Sequence, residues 1–264
     1  MRLFIAGLRK LVRRPATLVS LGLLAGLLSL ILVAVGATAR SRPNGAEALL
    51  LVTFPGAYVL ILSFILGLGG LISLVYGAAV AGSEWSWGTL KNAVARGESR
   101  SGYVLLTFAS VALLIGIGLL VAFGIGILMG LVGATLAGVS TNGVTDSASL
   151  GALPDKLGRS WFAMVEEAAF GFAVATLARS QLAGVGAGIG LYFGEQFASL
   201  FLPDIVKYLP FNAAMAVVVN TNPGGGGGIV QRLDPGTALV AVTAWLVASL
   251  VVAAAFTERA EIAG

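Results

Sequence analysis

The chain has 264 residues, 58% of them apolar and 11% charged, with a net charge of +4; an ordinary soluble domain is roughly 45–50% apolar and about 25% charged. With a mean hydropathy of +0.97 there is too little charge to cover a soluble surface of this size, which excludes a typical cytosolic enzyme and a disordered chain. The sequence holds no cysteine and no histidine, which excludes a disulfide scaffold, Cys- or His-ligated metal sites and imidazole-dependent triads.

The first fourteen residues read MRLFIAGLRKLVRR. Leu3, Phe4, Leu8, Leu11 and Val12 recur at helical spacing, while Arg2, Arg9, Lys10, Arg13 and Arg14 supply the polar side. This pattern predicts an amphipathic helix lying in the membrane interface, with Pro15 marking a bend into the first span. Crossing about 30 Å of hydrocarbon takes about 20 mostly apolar residues, and six stretches are read as spans: Ala16–Ala39, Leu51–Ala81, Tyr103–Gly138, Trp161–Ala178, Leu182–Leu202 and Thr237–Phe256. The first is longer than the 7–15 apolar residues of a signal peptide and is read as retained, although Ala37-Thr38-Ala39 resembles a cleavage site. The third exceeds one straight crossing, so it is expected to tilt or to project beyond the bilayer core.

Lys and Arg set the orientation. With the N-terminus inside, ten lie on inner segments (Arg2, Arg9, Lys10, Arg13, Arg14, Lys91, Arg96, Arg100, Arg179, Arg259) and six on outer ones (Arg40, Arg42, Lys156, Arg159, Lys207, Arg232). Both termini are therefore expected inside. The outer segment 139–160 is rich in Ser, Thr, Asn, Gly and Asp and reads as a solvated loop. The outer segment 203–236 is largely apolar up to Val219 and suggests short re-entrant or interfacial helices before the flexible run Gly224–Gly228. The fold class expected is thus all-α: one polytopic transmembrane domain over 1–264, with an interfacial helix at 1–14, an inner loop at 82–102 and an outer loop at 203–236.

No P-loop is present. Alternating Gly184, Gly186, Gly188 and Gly190 lie in an apolar span rather than in a strand–turn–helix, so they are read as packing residues. Gly186, Gly190 and Gly194 share one face at i, i+4 and i+8, and Gly22/Gly26 and Gly126/Gly130 make further small-residue pairs suited to close helix approach.

Three carboxylates interrupt the fourth and fifth stretches. Glu166 and Glu167 lie 14 and 13 residues before the turn at Ser180, and Glu195 lies 15 after it. At about 1.5 Å per residue all three sit roughly 20–23 Å from that turn. Intramembrane charge marks either a pathway or a paired structural site, and both roles stay open here.

The inner loop carries the most specific pattern, with Glu84, Trp85, Gly88, Thr89, Leu90, Ser99 and Arg100 in that order. In this order and setting, the loop resembles that of the membrane subunits of type-2, export-type ABC transporters. Many such subunits carry a lysine early in the third span, where this chain has Thr107. The basic leader, the six spans, the apolar outer segment bent around Leu209-Pro210-Phe211-Asn212, and the tail Glu258-Arg259-Ala260-Glu261 are similar to that family as well.

The resemblance implies a bacterial inner-membrane permease with no catalytic, cofactor or metal site of its own. It implies coupling to a separate ATP-binding subunit, which carries ATP and Mg, through Glu84, Trp85, Gly88, Thr89, Leu90, Arg96 and Arg100. Arg179, Ser180 and Gln181 would make a second contact, and the partner across the substrate path would be a second copy or a related permease. No nucleic-acid partner is implied. An ion-coupled transporter using Glu166, Glu167 and Glu195, and a membrane assembly factor, are the alternative readings.

Overall fold

A backbone in hydrocarbon must satisfy its own hydrogen bonds, and a helix does so locally. The computed structural model describes residues 2–41, 45–218 and 233–260, and among them it is all-α. The run Gly224–Gly228, Arg42, Arg232 and Glu261 lie outside the described residues. In chain order the helices are α1 (Arg2–Val12), α2 (Pro15–Thr38), α3 (Gly45–Val52), α4 (Gly56–Phe64), α5 (Gly70–Ser86) and α6 (Thr89–Val94). There follow α7 (Arg100–Ala137), α8 (Ser147–Ala178), α9 (Gln181–Ala198), α10 (Pro203–Val206), α11 (Pro210–Val218) and α12 (Pro235–Arg259). A π-helical turn, Ile65–Gly69, joins α4 to α5.

Among the described residues, five helical segments are long and apolar enough to cross a membrane: Pro15–Ser41, Gly56–Ser86, Arg100–Ala137, Ser147–Ala178 and Pro235–Arg259. The fifth stretch read as a span, α9, is 18 residues long and falls short in apolarity because Gln181, Glu195, Gln196 and its glycines dilute it. The segment read as a solvated loop at 139–160 is mostly helical. Asp146 caps α8 by accepting from the Ser149 N–H at 2.9 Å, and those bonds to Ser149 hold its carboxyl below the ordinary aspartate range. α8 then runs through Pro154 into the apolar part. Asp234 caps α12 in the same way, accepting from the Thr237 N–H and hydroxyl at 2.9 and 2.7 Å.

α8 is the central helix, with 67% of its most apolar stretch buried against 17% for α12. It packs most extensively on α5. The two backbones approach closely because a Cβ on Gly77 would strike the Ala168 carbonyl and one on Gly171 the Leu74 carbonyl. α2 and α7 meet in the same way at Gly36 and Gly133. Gly126 and Gly130 on α7 pack against Ile61, Leu28 and Phe54, whereas Gly22 and Gly26 face open space. On α9 the packing face is Gly184, set against Ala175, and Gly188, set against Leu74; Gly186, Gly190 and Gly194 meet nothing within 4 Å. The expected packing triple is thus corrected within this chain: α9 is turned so that Glu195 lies inward, and the triple falls on the opposite, exposed side.

These contacts separate two kinds of glycine. Gly36→Val should lower stability by about 1–3 kcal/mol, as overpacking does, whereas Gly22→Val should stay within about 0.5 kcal/mol of the parent. Thermal unfolding of the two variants in detergent reads the difference.

Candidate functional site: a carboxylate-centred network and a buried glutamate cluster

α5 ends at Ser86, and Gly88, in the left-handed region at φ 63°, turns the chain into the short α6. This geometry leaves Glu84 one turn from the end of α5, 6% exposed. Its carboxylate is surrounded by donors. Lys10 Nζ is 2.6 Å from Oε1 and Arg14 Nη2 is 3.6 Å from it. Oε2 accepts from the Tyr103 hydroxyl at 2.6 Å and from the Thr89 hydroxyl. A buried carboxylate is tolerated when its lone pairs are met by charge-assisted and hydroxyl donors. Glu84 therefore ties α1, the α1–α2 bend, α6 and α7 to α5.

The neighbouring loop residues extend the network. Trp85 lies edge-on to Phe256 of α12 at 6.3 Å, and the Arg179 guanidinium sits 5.1 Å from the Trp85 ring and 5.4 Å from Phe256. Arg14 lies 4.9 Å from the Trp87 ring. Ser180 caps α9 by accepting from the Ala183 N–H at 3.3 Å, and Gln181 lies so close to Gly82 that a Cβ there has no room. Arg100 Nη1 donates to the Glu258 and Ala260 carbonyls at 3.1 and 2.8 Å, covering carbonyls at the end of α12. The Glu258 carboxylate accepts in return from the Ser101 N–H at 3.2 Å, at the start of α7. Leu90 is buried. Arg96 is exposed and lines a cavity of about 260 Å³ between α1, α6 and α7, with Lys10, Glu84, Asn92, Tyr103 and Thr107.

The residues named from the loop pattern and those named from the α8–α9 turn are thus brought together at one end of the bundle. Lys10, Arg14, Tyr103 and Phe256 are the members that sequence reasoning missed. Tyr103 and Phe256 were hidden as ordinary span-edge aromatics. Lys10 and Arg14 had a signal in their four-residue spacing, but they were counted only as part of a basic leader.

The second site lies deeper. Glu166, Glu167 and Glu195 are 0%, 2% and 1% exposed and lie within electrostatic reach of one another. Glu195 is well partnered: it accepts from the Phe211 and Asn212 backbone N–H groups at 3.4 and 3.0 Å and from Asn212 Nδ2 at 2.8 Å. It therefore serves the start of α11, where free N–H groups favour an anion. Both carboxylate oxygens of Glu166 and Oε2 of Glu167 have no hydrogen-bond partner among the described residues. Glu167 packs against Gly70, where a Cβ would collide with its carboxylate. Among the described residues, no group of three or more His, Cys, Asp or Glu side chains is arranged to hold a metal ion.

The Glu84 ion pair can be tested by a double-mutant cycle. Lys10→Met and Glu84→Gln should each destabilise, and their combination should reveal a coupling of about 1–2 kcal/mol in thermal or chemical unfolding. No protein-family model matches the chain, and no curated protein matches it significantly.

Proposed function

We propose that this chain is the membrane subunit of an ATP-driven, export-type ABC transporter. It forms a substrate path with a second copy of itself or a related permease, and it receives work from two separately encoded ATP-binding subunits. In this reading α9 is a sixth span paired with α8, both termini are cytoplasmic, and α10 and α11 are re-entrant from the outer side. The exposed glycine face of α9, at Gly186, Gly190 and Gly194, is then free for the second permease. The apolar spans favour a hydrophobic or lipid-like cargo.

The observation that carries the reading is the Glu84 network. A permease without an ATPase of its own needs a short cytoplasmic element that is rigidly continuous with its spans. α6 leaves α5 at Gly88, is bonded back to Glu84 through Thr89, and lies beside α7 through Tyr103. A push on α6 would reach α5, α7 and α12 through packed groups that do not flex independently.

A second reading rests on a different observation, the buried and unpartnered carboxylates of Glu166 and Glu167. Such groups can carry protons or cations in an ion-coupled transporter.

The two readings separate in one experiment. The chain is purified from its native membrane, examined for a co-purifying Walker-motif ATPase, and reconstituted with that partner. ATP-dependent transport is expected, with Arg96→Glu, an exposed charge reversal on the α6 side, cutting substrate-stimulated ATPase activity roughly tenfold. Transport driven by a proton gradient without ATP would overturn the ABC reading and support the second.

A further inference from the structure

α2 and α7 touch through their backbones at Gly36 and Gly133 and remain in contact at Leu28 and Gly126. From there toward the α1 end they diverge. The gap is a crevice of about 120 Å³, walled by Leu21, Leu24, Ile72, Ile115, Leu119 and Met164. The π-helical turn ends at Gly69 in its wall, where a Cβ would come within 3.1 Å of Met164 Cε. Turns of this kind often mark functional sites.

Four hydroxyls line the crevice; Ser20 is half-buried, and the other three are engaged within the protein. Thr17 Oγ1 donates to the Leu11 carbonyl at 2.6 Å and shares a hydrogen bond with the Tyr76 hydroxyl at 2.8 Å. Ser73 donates to the Gly69 carbonyl at 2.7 Å. Apart from the Ser20 hydroxyl, what the crevice offers is therefore hydrocarbon. Apolar cavities of about 150 Å³ stay dry and take benzene-sized guests.

The mouth opens at Ile117, which is 47% exposed, beside the exposed side chains Leu113 and Leu120 of α7 and Leu23 of α2. All belong to segments apolar enough to cross a membrane. At the lower end, one turn before Thr17, lie exposed Arg13 and half-buried Arg14. Arg14 faces Glu84 at 3.6 Å and stacks on Trp87, so exposed Arg13 is the cation open to a ligand. An apolar slot between lipid-facing helices with cations at its interfacial end matches one kind of molecule, an anionic amphiphile of the bilayer.

We propose that this crevice binds one acyl chain of an anionic membrane phospholipid, whose phosphate headgroup sits beside exposed Arg13. The assignment is independent of what the chain transports.

The test uses the full chain in nanodiscs doped with a phospholipid that carries a photoreactive diazirine near the end of one acyl chain. The headgroup is phosphatidylglycerol in one arm and phosphatidylcholine in the other, and adducts are mapped by mass spectrometry. Met164 and Leu119 are 3% and 2% exposed, so a chain merely lying against the protein does not reach them. Adducts on these two residues are expected, and more strongly from phosphatidylglycerol. Gly118 lines the crevice, and a Cβ there meets nothing within 4 Å. Gly118→Phe should fill the slot and cut those adducts roughly tenfold, while adducts on exposed Val240 and Val251 of α12 persist. Gly118→Val is the milder variant should the first fail to fold. Adducts confined to exposed positions, equal Met164 labelling in the Gly118 variants, or labelling of Met164 by a diazirine-bearing alkane but not by the phospholipid would overturn the assignment. Equal yields from the two headgroups would overturn its headgroup part.

Discussion

One carboxylate holds the terminal end of this bundle together. Glu84 is buried one turn before α5 ends, where an isolated charge would be expelled or neutralised. It is kept by Lys10 and Arg14 from the leader, Thr89 from α6 and Tyr103 from α7. These partners come from the leader, α6 and α7, so satisfying one side chain fixes three pieces of backbone relative to α5. The donors gain in turn: Lys10 and Arg14 leave water only partly and find an anion as they do.

Behind that junction, α5 approaches α8 and the α8–α9 turn closely. Gly77 and Gly171 bring α5 and α8 into backbone contact, and Gly82 brings α5 against the α8–α9 turn. Arg179 on that turn covers Trp85 and Phe256, and Arg100 clasps the end of α12. Through Glu84 and these contacts, α6 is connected to α5 and α7, and onward to α8 and α12. The Glu166, Glu167 and Glu195 cluster sits farther along α8 and α9, where Glu195 holds the start of α11. It is mechanically joined to the same helices but chemically separate from Glu84.

Much of this was legible beforehand, because hydrophobic length and charge are one-dimensional signals. The leader helix and the long apolar helices could be read from residue order. What failed was rotational. Gly186, Gly190 and Gly194 define a face as well as Gly184 and Gly188 do, and sequence alone does not say which face meets α8; Glu195, which must be buried against the N–H groups of α11, decides it. The helix through 147–160 was also missed, since its polar residues look like loop until Asp146 is recognised as a cap. The pairing of Lys10 with Glu84 was hidden for a third reason: partners separated by 74 residues leave no local trace.

Because they share Glu84, α1, α6 and the ends of α5 and α7 are expected to open together. Hydrogen exchange of the amides in α1 and α6 tests this directly. In Glu84→Gln, exchange should rise in both helices together, by roughly tenfold, as local opening becomes easier by about 1.4 kcal/mol. Faster exchange in one helix with no change in the other would show that Glu84 does not join them.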